Sequence, residues 1–312
     1  MPTDLTDTLV VGISSRALFD LEQENEIFEK EGLLAYQQFQ IKNEDKILQP
    51  GTAFHLIESL LKLNSPKKEK KLIEVVVLSR NSPDTGLRIL NSIKHYKLPI
   101  TRSAFTSSVS LANYIGAFNV DLFLSKSESD IQAVIDTGSC AAALIYTPPK
   151  DYKPDENTLR IAFDADAVIF SEESELIYKQ HGIEEFRRNE TMYEDVPLKE
   201  GPFGKFFKLL AKIQRGLDDK LMRIAIVTAR DYPSNIRVIK TLRNWGVSVD
   251  EAFFLGGLPK DKILKAFNAH IFFDDQHTYV KEAAVLVPSS RVPYKKSSPL
   301  NKFNNEDTNK DK

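Results

Sequence analysis

Short apolar runs punctuate the chain at regular intervals: "LVVGI" (9–13), "LIEVVVLS" (72–79), "VDLFLS" (120–125), "AAALIY" (141–146), "RIAFDA" (160–165), "RIAIVTA" (223–229), "EAFFLGG" (251–257), "AHIFFDD" (269–275) and "AAVLVP" (283–288). They are continuous rather than alternating, as in strands buried on both faces of a parallel sheet. Between them lie helical patterns, among them "GLRILNSIKHY" (86–96), "FGKFFKLLAKIQRGL" (203–217) and "SNIRVIKTLRNWG" (234–246). Strands alternating with helices predict a doubly wound α/β fold with a mostly parallel sheet. "NSPKKEKK" (64–71) reads as a charged surface connection, and "YKKSSPLNKFNNEDTNKDK" (294–312) as a disordered tail.

The chain also resembles itself. "VVLSRNSPDTGLRILNSIKHY" (76–96) answers "IVTARDYPSNIRVIKTLRNW" (226–245), pairing Pro83 with Pro233 and Arg88 with Arg237. "AFNVDLFLS" (117–125) answers "AFNAHIFFD" (266–274), and "VGISSRALF" (11–19) answers "AFDADAVIF" (162–170). This pairing sets Asp164 opposite Ile13, Asp166 opposite Ser15 and Asp274 opposite Ser125. Two related halves are expected: 1–150 without the acids, and 151–293 with them. A small helical insertion is expected at about 171–202 in the second half, by the bland reading a plain surface helix pair.

The acids carry the chemistry. Asp164 and Asp166 close one apolar run, Asp274 and Asp275 another, Thr228 ends a third, and Lys260 precedes the last. In α/β folds the carboxyl ends of strands hold the ligands. Two close carboxylates repel unless a cation joins them, and Mg²⁺ takes one or two carboxylates plus phosphate oxygens and water. The set suits phosphoryl transfer: Asp164 to attack phosphorus, Asp166 as acid and base, and Thr228 with neighbouring backbone N–H groups, such as that of Ala229, on the phosphoryl oxygens. Lys260 would neutralise charge, and Asp274 would hold metal. Asp164 and Asp166 complete the expected metal set, with Asp275, Arg230 and Arg16 as further candidates. Each has a plainer reading: an acidic helix start for Asp164 and Asp166, a solvated lysine for Lys260, a structural ion pair for Arg230. For Arg16 the simpler reading is a pair with Asp20, four residues on.

The order D-x-D, T, K, DD resembles the haloacid dehalogenase-like phosphohydrolases. "VGISSRALFD", "QPGTAF", "AFDADAVIFSEESE", "VTAR", "TLRNWG", "DEAFFLGGLPK" and "HIFFDDQ" are similar, more narrowly, to the cytosolic 5′-nucleotidase type I family over roughly 8–293. Ala165 departs from the glycine many relatives carry there. The resemblance implies Mg²⁺-dependent hydrolysis of nucleoside 5′-monophosphates, AMP or deoxy forms among them, through an aspartyl-phosphate. A sugar-phosphate phosphatase and a catalytically silent nucleotide-binding protein are the alternatives; turnover with Mg²⁺ separates the last from an enzyme.

The totals narrow the partners. With 42 basic and 44 acidic residues the formal net charge is −2, which gives no reason to expect a nucleic acid polymer or an anionic membrane. Cys140 is alone, so neither an intrachain disulfide nor a cysteine-built zinc site is expected, and it reads as a small buried residue. No apolar run approaches the ~20 residues of a membrane span, and the N-terminus lacks a signal-peptide pattern. The expectation is a soluble cytoplasmic protein, with self-association left open. The histidines show no metal-ligand spacing, "GPFGKFF" lacks the hydroxyl residue of a P-loop, and no G-x-G-x-x-G follows a strand.

Overall fold

The computed structural model describes residues 5, 7–64, 70–218 and 220–303. Among the described residues ten strands form one sheet: β1 (Leu9–Ile13), β2 (Ile73–Ser79), β3 (Arg102–Phe105), β4 (Leu122–Ser125), β5 (Ala141–Ile145), β6 (Leu159–Phe163), β7 (Met222–Thr228), β8 (Glu251–Phe254), β9 (Ile271–Asp274) and β10 (Ser289–Arg291). Their order is β3-β2-β1-β4-β5-β10-β9-β6-β7-β8. All pairings are parallel except β5 with β10, which is antiparallel. Each side of that seam therefore has the same internal order, third-second-first-fourth-fifth strand.

The register shows how closely the sides repeat. Leu9 pairs with Ile73 on one side, and Leu159 with Met222 on the other. Val11 pairs with Leu122, and Ile161 with Ile271. First-strand residues thus correspond at a spacing of 150. This corrects the sequence pairing by one position: Asp164 corresponds to Ser14 rather than Ile13, and Asp166, counted from the strand, to Arg16 rather than Ser15. Asp274 does correspond to Ser125, each the last residue of its strand. The slip has a local cause. From Ser14 to the short β-bridge at Phe19 the chain takes five steps, but from Asp164 to the matching bridge at Phe170 it takes six. The extra residue lies in the turn 165–169, where Ala167 adopts φ 57°. Matching "ALF" to "VIF" beyond the turn misaligns what precedes it.

The remaining differences from the sequence reading lie at an edge strand and around the last strand. β3, "RSAF", is an edge strand with half-buried and exposed positions. "AAVLVP" is not a strand: helix 277–283 ends in it, and the chain turns before the polar strand "SSR". That strand survives burial because Ser289 and Ser290 donate their hydroxyls to the carbonyls of Val287 and Phe272. Residues 294–303 of the expected disordered tail are instead ordered. Tyr294 donates its hydroxyl to Asp275, Leu300 is buried, and residues 299–302 form a 3-10 turn. Residues 304–312, and 65–69 of the charged connection, lie outside the described residues. Cys140 is half-buried, and burial pushes its thiol up to about 12.

Both halves carry a helical excursion after their first strand. Helices 22–31 and 33–42 meet at Gly32, and helix 173–192 breaks at Gly182. The elbows share one backbone geometry, φ 86° and ψ −178° at Gly32, φ 80° and ψ −178° at Gly182, which side chains with a Cβ avoid. Only the second excursion was visible as a pattern in the sequence. The core sits between the sheet and its helices. In the second half it is built from Phe163, Phe203, Phe207 and Phe273, with Phe163 and Phe273 stacked 5.3 Å apart. No helix of the described residues is long and apolar enough to cross a membrane.

Candidate active site

The stacked phenylalanines fix the site, because each is followed by an acid. Phe163 and Phe273 are register partners on neighbouring strands, so Asp164 and Asp274 emerge side by side at the sheet's carboxyl edge. The Asp164 N–H donates to the Phe273 carbonyl at 2.8 Å, locking the two strand ends together. On the other flank Phe163 pairs with Ile226, which brings Thr228 to the same edge. Asp164 and Asp166 lie in the loop, since β6 stops at Phe163.

Lys260 enters from the start of helix 261–267 and places its ammonium between acids, 2.6 Å from Asp164 Oδ1 and 2.6 Å from Asp274 Oδ2. The Tyr279 ring lies 4.6 Å from that nitrogen. Lys260 is 2 % exposed, so the solvated reading does not hold. Burial works against its charge, but Asp164 and Asp274 outweigh it and raise its pKa above the usual lysine value. Asp274 Oδ1 accepts the N–H of Gln276 at 2.8 Å.

Asp164, Asp274 and Asp275 each offer a carboxylate oxygen within one group, all of them buried and within 4.8 Å of one another. Asp166 is not in that group. Arg230 engages both of its oxygens at 2.7 Å and also pairs with Glu190. Thr228 is buried, and its Oγ1 accepts the N–H of Arg230 at 3.3 Å, with Ala229 between them. Arg16 is elsewhere, in the first half, and pairs with Glu22 rather than Asp20.

The structure adds residues that the strand-end pattern did not flag. Glu190, buried at 1 % exposure, holds Arg230 and Arg237 together. Glu175 accepts from Gln276 Nε2 at 3.3 Å, and Tyr294 reaches Asp275. Glu175 and Glu190 lie on the excursion helix, one on either side of its elbow at Gly182, where nothing in the local pattern points to a site.

The electrostatics leave room for a cation. Burial, with Lys260 opposing it and Asp274 and Asp166 adding to it, raises Asp164 to about 7. Burial and Asp166 raise Glu175 to about 7. Burial, then Asp274, Asp164 and Glu175, raise Asp275 well above the carboxylate range. Asp275 Oδ1 is a buried oxygen with no hydrogen-bond partner among the described residues. An unpartnered carboxyl oxygen beside two further acids is an all-oxygen donor set fitting a hard divalent ion.

A family model described as 5′-nucleotidase matches residues 1–299. The chain belongs to the 5′-nucleotidase family. It is 36 % identical over 294 residues to the Homo sapiens protein named "Cytosolic 5'-nucleotidase 1B". That match covers 90 % of this chain and 48 % of the relative, so the chain spans about half the length of the curated relative it matches. A solved structure titled "Structure of Pnkp1/Rnl/Hen1 complex" aligns with 93 % of this chain and 97 % of that chain, at 9 % identity and a TM-score of 0.33, too weak a likeness to bear on the fold. Membership of the 5′-nucleotidase family agrees with the resemblance read from the motifs and implies a divalent metal, for which the three converging carboxylates are a fitting set.

Proposed function

We propose that this chain is a Mg²⁺-dependent phosphoric monoester hydrolase of haloacid dehalogenase-like type. It hydrolyses nucleoside 5′-monophosphates, AMP or deoxy forms, to nucleoside and phosphate in the cytoplasm. One observation carries the reading. In a 5′-nucleotidase family chain, Asp164, Asp274, Asp275 and Lys260 meet in one buried group at the carboxyl edge of a parallel sheet. Residues 151–293 form the catalytic half in this account and 1–150 its partner half.

Asp164, Asp274 and Asp275 would hold the ion, which supplies positive charge to the acids and the phosphoryl group. An Asp164 oxygen attacks phosphorus, the bond from phosphorus to the ester oxygen breaks, and Asp166 gives its proton to the departing nucleoside. In the second step Asp166 takes a proton from water, the water oxygen bonds to phosphorus, and Asp164 is released with phosphate. Both Asp166 oxygens sit in the Arg230 fork, so one of those bonds is given up when the leaving group arrives. Thr228, the Ala229 N–H and Lys260 hold the phosphoryl oxygens, where fixed donors cost no reorganisation. The excursion 171–202 covers the site as a cap, with Glu190 anchoring it to Arg230.

The test is phosphate release from a panel of nucleoside monophosphates and sugar phosphates, with and without Mg²⁺, by wild type and Asp164→Asn. Mg²⁺-dependent release from nucleotides, lost in the variant, is expected. Release from sugar phosphates alone would overturn the substrate, and release that survives Asp164→Asn would overturn the nucleophile.

A further inference from the structure

The first half has the strand ends of a ligand site and none of its acids. Ser14, Ser79 and Ser125 occupy the positions of Asp164, Thr228 and Asp274. Above them lies a cavity of about 480 Å³. It opens where the sheet order reverses, with β1 between β2 and β4, the place where open α/β sheets bind ligands. Its volume lies within the range of small-molecule sites.

The polar lining carries donors beside the carboxylates of Glu24 and Asp130. Ser15 and Ser79 share a hydrogen bond at 3.1 Å, and hydroxyls of Ser14 and Ser125 stand at the same edge. Arg16 Nε and Asn81 Nδ2, both from lining residues, are buried donors with no partner among the described residues. Such atoms are costly to leave unpaired. Both lining acids are already paired, Asp130 with Arg80 and Glu24 with Arg88. Arg16 shares Glu22 with Lys126, at 3.3 Å and 2.8 Å.

The helical excursion adds apolar lining. Phe28 and Tyr36 pack edge to face at 6.0 Å, and Phe28 and Leu33 are 47 % and 53 % exposed. Aromatic and aliphatic surface in one cavity with Arg16, Asn81 and the strand-end serines suits a molecule with a flat ring at one end and a phosphate at the other.

We infer that this cavity is a second site, which binds a nucleoside monophosphate through its phosphate without a metal and without hydrolysing it. The phosphate rests on Arg16, Asn81 and the strand-end serines, and the base lies against Phe28 and Tyr36. The serines offer no carboxylate to carry a phosphoryl group or hold a divalent ion, so binding here persists when metal is removed.

Titration calorimetry of the full chain in EDTA tests this, with AMP, adenosine and inorganic phosphate as separate probes. One AMP per chain is expected, bound at least tenfold more tightly than either fragment. Arg16→Ala and Phe28→Ala should each weaken AMP at least tenfold, while Asp164→Asn leaves it unchanged. Arg16→Gln serves as a second variant, and melting within a few degrees of wild type shows that each remains folded. No AMP binding in EDTA, binding unaffected by both Arg16 variants, or binding lost in Asp164→Asn would overturn the inference. Phosphate release in Mg²⁺ is a separate readout, so the second site can fail while hydrolysis stands.

Discussion

The two sides of the β5–β10 seam share strand order, register and a helical excursion with a glycine elbow, yet end their strands differently. One side ends in Asp164, Thr228 and Asp274, the other in Ser14, Ser79 and Ser125. The supports of the two sites diverge less. Arg237 in one half and Arg88 in the other each donate Nε to a backbone carbonyl, of Val196 and Lys46. Thr241 and Ser92 each accept the N–H of a leucine, Leu198 and Leu48. Glu190, which bridges two arginines, has Gln40 at the matching place, where it bonds Arg88 at 3.1 Å. The scaffold that positions strand ends is thus compatible with acids or hydroxyls, and the reactive edge can change without altering the frame beneath it.

The largest expected contrast is chemical. Asp164→Ala should lower turnover by about 10³-fold or more, as removal of a nucleophile does, whereas Ser14→Ala should change it less than about tenfold. Steady-state phosphate release checks both, and similar losses in the two variants would erase the distinction.

Next in size is the buried charge network. Glu190→Ala takes the carboxylate from buried Arg237, while Asp166 still holds Arg230, and should cost about 3–5 kcal/mol. Gln40→Ala removes a neutral partner while Glu24 still holds Arg88, and should cost about 1 kcal/mol. Urea unfolding of the two variants measures the gap.

Proton linkage should also divide the halves. In metal-free protein the raised carboxyls of Asp164, Asp275 and Glu175 bind protons that the unfolded chain has already released. The folded state therefore loses stability as pH rises, from the ordinary carboxylate range up through about 7 for Asp164 and Glu175. Scanning calorimetry in EDTA should show a melting temperature that falls over that window. Mg²⁺ should flatten the fall, and Ser14→Ala should leave it in place.

The smallest effect should be shared. Gly32→Ala and Gly182→Ala each force a Cβ into a positive-φ elbow and should cost about 1 kcal/mol apiece. Unequal costs would break the claim that the two excursions are the same device.

What the sequence revealed follows from where burial leaves a trace. The strands that carry the acids are buried on both faces, so their apolar runs exposed Asp164, Thr228 and Asp274 as anomalies at their ends. β3 is an edge strand and β10 is polar, with hydroxyls satisfied by carbonyls, so neither leaves an apolar run. Helices 22–31 and 33–42 are mostly exposed and escaped for the same reason. The repeat was legible, but its register slipped by one because the added turn residue at 165–169 hides within a similar string of letters. Glu175, Glu190 and Tyr294 act through contacts distant in sequence, to Gln276, Arg230 and Asp275, which no local pattern contains.

The central claim is that one half holds a divalent cation and the other does not. An anomalous difference map from crystals soaked in Mn²⁺ tests it most directly. The account predicts one peak at coordination distance, about 2.0–2.4 Å, from oxygens of Asp164, Asp274 and Asp275, and none at Ser14, Ser79 and Ser125. A map with no peak at the three acids, or with a peak of equal height at the three serines, would contradict it.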